Sequence, residues 1–147
     1  MKWIVTALLI LLLISSCKKQ PPDTVLTGTW KLTEIIDRST STSQSPPTSA
    51  TSNISITFNS NGTYSGNTLV NTFWDGSYVL KDTNLVTFDI FSMTKINEDA
   101  FGGSFFTVLM SCSLQSVHPC VPSQYIITGR RLYIKSAMRY DLVLEKM

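Results

Sequence analysis

The chain has 147 residues, 43% of them hydrophobic and 15% charged, with a formal net charge of +2 and a single histidine. This length fits one domain. The near balance of 12 Lys+Arg against 10 Asp+Glu argues against a nucleic-acid binder, which carries a concentrated basic face.

The first segment is a leader. Met1-Lys2 is followed by an apolar stretch from Trp3 to Ile14, broken only by Thr6. At about 1.5 Å per helical residue it reaches about 18 Å. That is short of a bilayer core of about 30 Å and suits the apolar region of a secretory signal. Ser15-Ser16 are small, as a signal peptidase requires, and Ile14-Ser15-Ser16-Cys17 resembles a bacterial lipobox. On that reading residues 1–16 are a lipoprotein signal peptide. Cys17 takes a diacylglyceryl group and its new amine a further, palmitate-class, acyl chain. Two or three chains make such an anchor effectively permanent. The membrane is thus an expected partner. Lys18-Lys19 follow Cys17 with no Asp at the next position and no acidic cluster, which points to the outer membrane with the protein facing the periplasm. Residues 17–25 read as an extended tether, on the strength of "KKQPPDT".

Residues 26–147 read as one β domain of short strands separated by turns. Thr29–Ile36 is the first strand. Ser39–Ser52, "STSTSQSPPTSATS", has almost nothing to bury and reads as a flexible loop between strands. In Asn53–Asn59, residues Ile54, Ile56 and Phe58 share one face, and Asn61-Gly62 is a hairpin turn signal. Gly76–Leu80 and Leu85–Phe91 flank a turn at "KDTN", with Val86, Phe88 and Ile90 on one side. Phe101, Phe105, Val108 and Leu109 follow helical spacing. The spacing predicts a short helix over 98–110, with Asn97 as N-cap and Glu98 and Asp99 at its positive end. Gly102-Gly103 cost it about 1 kcal/mol each relative to Ala. "QYIIT", "RLYIKS" and "RYDLVLEK" close the chain as a meander. The fold class expected is mainly β: a compact antiparallel meander or partly closed barrel with one short helix.

With Cys17 lipidated, Cys112 and Cys120 remain. The even count and an exported compartment favour a disulfide, two free thiols being the alternative. Closing the loop "CSLQSVHPC" would stabilise the fold by about 2.6 kcal/mol. Cys112, His118 and Cys120 match no common zinc spacing, so no metal site is expected. One histidine beside a proline makes a nucleophile–base pair improbable, and the carboxylates are scattered. No catalytic residue, cofactor or phosphate loop is assigned, and the protein is not expected to be an enzyme.

Taken in order, "TGTWKLTEI", "ITFNSNGTYSGN", "NTFWDGSYVL", "MTKINEDAF" and "YIITGRRLYI" resemble the META domain of HslJ-like bacterial lipoproteins across residues 26–147. The resemblance maps the family's motif onto Trp30, Asn71, Gly76, Tyr78, Thr94, Glu98 and Phe101, in structural roles. The family often has Gly-Cys-Asn where this chain reads Leu69-Val70-Asn71. The resemblance implies a compact antiparallel β fold with a helix and a non-catalytic envelope role linked to stress tolerance, with an envelope protein as partner. Gly28-Thr29-Trp30 also resembles the G-x-W opening of lipocalin-like lipoproteins. There Trp30 would close one barrel end, stacked on Arg130 or Arg131, and the alternative function would be carriage of a small apolar ligand. At this strand length a barrel filled by its own side chains is the expectation.

Overall fold

The computed structural model describes residues 26–48, 52–115 and 119–147. The segment read as a signal peptide, Cys17, the segment read as a tether and His118 lie outside them. The strands are β1 (Gly28–Asp37), β2 (Thr42–Gln44), β3 (Ser55–Phe58), β4 (Thr63–Asn67), β5 (Thr72–Lys81), β6 (Leu85–Phe88), β7 (Ser92–Met93), β8 (Ser123–Thr128), β9 (Arg131–Lys135) and β10 (Tyr140–Lys146). Two helices, α1 (Ala100–Leu109) and α2 (Ser111–Leu114), lie between β7 and β8. All pairings are antiparallel, in the order β10-β9-β8-β6-β5-β4-β3-β1, and β10 pairs back onto β1. The sheet is therefore a closed eight-stranded up-and-down barrel.

Two bulges set which side chains point inward. Thr33 is the extra residue between Leu32↔Leu144 and Glu34↔Val143, and its hydroxyl donates to the Val143 carbonyl at 3.0 Å. Before it Trp30 and Leu32 are buried; after it Ile35 and Asp37 are. Strict alternation through the whole strand would have turned one half of its apolar set to solvent. On β5 the register slips between Gly66↔Phe73 and Tyr64↔Gly76, and Asp75 takes a positive φ of 57°. Phe73 points inward, Trp74 and Asp75 outward, then Gly76 and Tyr78 inward again.

The interior is packed with rings. Phe58 meets Tyr78 at 5.1 Å between centroids, and Tyr64 meets Phe88 at 5.7 Å. Phe73 reaches Phe106 of α1 at 5.6 Å, and Phe91 stacks on Phe106 at 5.3 Å. Tyr64 lies flat across Gly76, where an added Cβ would come within 2.4 Å of its ring. Its hydroxyl donates to the Asp89 carbonyl on the far side of β5 at 2.8 Å. Gly76 is thus the gap in β5 over which a β4 side chain crosses to β6.

Both barrel mouths are closed. At one end Trp30 is buried, its indole N–H donates to the Leu26 carbonyl at 2.6 Å, and the Lys146 ammonium sits 4.9 Å from the ring centroid. The expected stack on Arg130 or Arg131 is corrected: the β1–β10 register puts Lys146 opposite Trp30, while Arg130 pairs with Glu145 and donates to the Lys146 carbonyl. At the other end α1 plugs the barrel with Phe101, Phe105, Phe106, Val108 and Leu109 buried.

Other expectations shift locally. The helix begins later than 98, at Ala100, and its N-cap is Asp99 rather than Asn97; Asp99 Oδ1 accepts the Gly102 N–H at 2.7 Å. Within the Ser/Thr/Pro segment 39–52, read as a flexible loop, Thr42–Gln44 form a strand against β1, because Ile35–Asp37 have left β3 and offer an open edge. Asn61-Gly62 does turn the β3–β4 hairpin, but only Gly62 has positive φ, and the Gly62 N–H closes on the Asn59 carbonyl at 3.1 Å. Ile90 is 73% exposed, because β6 ends at Phe88.

The two helix glycines differ. A Cβ on Gly103 would meet nothing within 4 Å, whereas one on Gly102 would come within 2.2 Å of Glu98 Oε1. Gly103→Ala is expected to raise unfolding stability by up to about 1 kcal/mol, the helix-propensity gain. Gly102→Ala should lower it by about 1 kcal/mol, since Glu98 must give up hydrogen bonds to make room. Urea midpoints of the two variants check the opposite signs.

Candidate functional site

Three groups of polar side chains and one groove stand out on the barrel. The first group joins the β4–β5 turn to the approach to α1. Asn71 is buried; its amide donates to Glu98 Oε2 at 2.8 Å and to the Ile96 carbonyl at 2.8 Å. Its Oδ1 accepts from the Thr94 hydroxyl at 2.8 Å and the Ile96 N–H at 3.0 Å. The Thr68 hydroxyl also donates to Glu98 Oε2, at 2.9 Å. The four capacities of one amide are thus used to hold the chain before α1 against the barrel rim. Glu98 Oε1 is buried without a hydrogen-bond partner, tucked against Gly102. Glu98 works by tying α1 down and not by charging its first turn. Asn71, Thr94 and Glu98 meet here, with Phe101 one residue into the helix they hold. Gly76 and Tyr78 stand apart from them, in the wall, where the Tyr78 hydroxyl donates to the Asn59 carbonyl at 2.9 Å. Trp30 is at the opposite mouth. The residues named by the resemblance are therefore a latch, a wall contact and a cap.

The second group lies where β1 meets β10. Arg139 donates to both carboxylate oxygens of Asp37, Nε at 2.9 Å, and the Ser39 hydroxyl donates to Asp37 Oδ1 at 2.7 Å. Its guanidinium also lies over Tyr140 at 5.0 Å. The Arg139 hydrogen bonds hold the Asp37 carboxyl well below the usual carboxylate range, against the opposing effect of burial. Beside it Arg38 donates to the Ser136 carbonyl at 2.8 Å and pairs with Asp141 at 3.4 Å. Burial raises the Asp141 carboxyl more than Arg38 lowers it. These cations are paired, so the cluster reads as a clamp on the barrel seam.

The third group is the disulfide region. Cys112 and Cys120 are bonded, with Cα atoms 5.2 Å apart. This spends both sulfurs, and no group of three His, Cys, Asp or Glu side chains that could hold a metal occurs among the described residues. The Gln115 amide binds the Val121 backbone on both sides, accepting its N–H at 2.8 Å and donating to its carbonyl at 3.1 Å. This side chain takes the place of a strand partner just before β8.

The bridge stands over the outer face of β5 and β6 and makes one wall of a groove of about 350 Å³. Val79, Lys81, Thr87, Asp89 and Ile90 line it together with Pro119 and the cystine. Its size is at the lower end of the small-ligand range. Sequence reasoning missed it. The available signal was phase: with Gly76 and Tyr78 inward, Val79 is an apolar residue facing out.

No family profile matches this sequence, and no curated protein matches it. Solved structures do resemble it. A protein from Burkholderia xenovorans, solved by NMR, superposes with a TM-score of 0.60 at 16% identity, over 85% of this chain and 86% of that one. A second NMR structure gives 0.59 at 17% identity, over 86% and 95%. The crystal structure of a DUF4847 family protein from Bacteroides vulgatus gives 0.57 at 12% identity, over 84% and 95%. At such identities the likeness concerns the fold alone.

Because the native Asp37 pKa lies below its unfolded value, its contribution is present above the ordinary carboxylate pKa and is lost as pH falls below that value. The unfolded chain takes up the proton first. Asp37→Asn should therefore be less stable than the wild type at pH 7, with the gap narrowing as pH falls from 5 toward 2. Denaturant midpoints across that range test the sign.

Proposed function

We propose that this protein is a non-catalytic lipoprotein of the bacterial cell envelope that works through the outside of its barrel. The observation that carries the reading is the packed interior. Rings from β3, β4, β5, β6 and α1 touch one another inside the barrel, with Trp30 at one mouth and α1 at the other. Recognition then falls to the wall and the rims. The lipobox around Cys17 supports an acyl anchor, and the residues after it favour the outer membrane with the barrel in the periplasm. Leu26 lies at the Trp30 mouth, under the indole N–H. A tether over 17–25, at no more than about 3.4 Å per residue, keeps that mouth within about 30 Å of the bilayer. The plugged end, remote from the attachment point at Leu26, is then the end we assign to an envelope partner. The META-like assignment, with its stress-tolerance role, draws support from the meeting of Asn71, Thr94 and Glu98 in one hydrogen-bonded latch.

A lipocalin-like carrier is the second reading. The up-and-down order and the cation stacked on Trp30 favour it. The packed rings direct any cargo to the outer surface.

Metabolic labelling with a palmitate analogue tests the anchor. The wild type is expected to take up label and sediment with the outer membrane, and Cys17→Ala to lose both. An unlabelled wild type, or label surviving in Cys17→Ala, would reject it.

A further inference from the structure

The groove beside the disulfide has the features of a ligand site. Its floor is the outer face of a two-strand ladder, Val79↔Thr87 and Lys81↔Leu85, and the Asp89 N–H extends the ladder onto the Ser77 carbonyl at 2.8 Å. Val79 is 57% exposed and Ile90 73%, although both are large apolar side chains. They share one recess with Pro119 and the cystine, so the recess has an apolar body. From Lys81 to Ser77 it runs about 13 Å, at about 3.3 Å per strand residue.

The two ends differ in charge and in freedom. Lys81 at one end makes no salt bridge among the described residues. Asp82 follows it in the turn but does not line the groove. At the other end Asp89 is engaged: Oδ1 accepts the Ile90 N–H at 2.8 Å, and its carbonyl takes the Tyr64 hydroxyl. Neither charge is in a salt bridge among the described residues, so the apolar track has a cation at its Lys81 end and a carboxylate at its Asp89 end; an anionic group is drawn to the first and repelled by the second.

We propose that this groove binds a small single-chain amphiphile, with an anionic head at Lys81 and an apolar body along Val79 and Ile90, beneath the Cys112–Cys120 bridge. The site lies outside the barrel and needs no opening of the packed interior. It gives the outer-surface reading a ligand class and rests on that reading only for where the protein works.

A photoreactive dodecanoate, added to membranes carrying the full chain, tests it by mass-spectrometric mapping of the crosslinked peptides. Label is expected on the segments holding Val79, Ile90 or the cystine, and unlabelled dodecanoate should compete. Labelling should fall about tenfold in Lys81→Glu and in Val79→Asp, and about tenfold for the matching uncharged dodecanol probe. Both variants change outward-facing positions, and an intact cystine with an unchanged urea midpoint shows that each has folded. Absence of groove label, label confined to interior residues, or label indifferent to both substitutions would overturn the proposal. Groove label that persists in Cys17→Ala, in a wild type that takes up no palmitate analogue, would remove the anchor and keep the site.

Discussion

The ladder between β1 and β10 joins the first and last strands of the described chain from Trp30–Lys146 to Asp37–Tyr140. Without it the chain would be an open meander with two free edges, and its inward apolar set would face solvent along a seam. With it, every interior position faces another. The ladder also brings the C-terminal Lys146 over Trp30 at one mouth and Arg139 onto Asp37 near the other. Caps and seam are thus set by one ladder. The Thr33 bulge shifts the register by one residue within that ladder and so turns the apolar side chains of both halves of β1 inward.

The filled interior constrains what the molecule can do. A lipocalin-type cavity needs small side chains or empty space along the axis, whereas here Phe58, Tyr64, Phe73, Phe88 and Phe105 occupy it. The latch at Asn71 and Glu98 holds the plug in place, and the cystine ties Cys120 to α2. These devices stiffen one scaffold and leave the outer face of β5 and β6 available for recognition.

Much of this was legible in the sequence, where the signal is local. Alternation in Asn53–Asn59, the Asn61-Gly62 turn and the spacing of Phe101, Phe105, Val108 and Leu109 each depend on near neighbours, and they gave the mainly-β class, the hairpin and the helix. The cysteine count pointed to the pair that is bonded. The features that escaped are set by distant strands. A bulge exists only relative to its partner, so nothing in "KLTEI" marks Thr33 as the extra residue and nothing in "FWDGS" marks the slip at Trp74-Asp75. Strands β2 and β7 form because β1 and β5 expose edges beyond their main partners. The cation over Trp30 was expected from a nearby arginine pair, but the register delivers Lys146 instead. For the motif residues, the resemblance implies structural roles without saying which. Only the fold separates a latch of Asn71, Thr94 and Glu98 from a wall contact at Gly76 and Tyr78.

Native-state amide hydrogen exchange tests most directly whether the plug belongs to the core. If the rings of α1 and the barrel form one packed unit, the Phe105 and Phe106 amides open only with global unfolding. Their opening free energies should then agree with those of Leu32 and Leu144 to within about 1 kcal/mol. Exchange of the α1 amides orders of magnitude faster than that of the β1–β10 ladder would contradict the account: the helix would be a separately opening lid, and the barrel interior accessible beneath it.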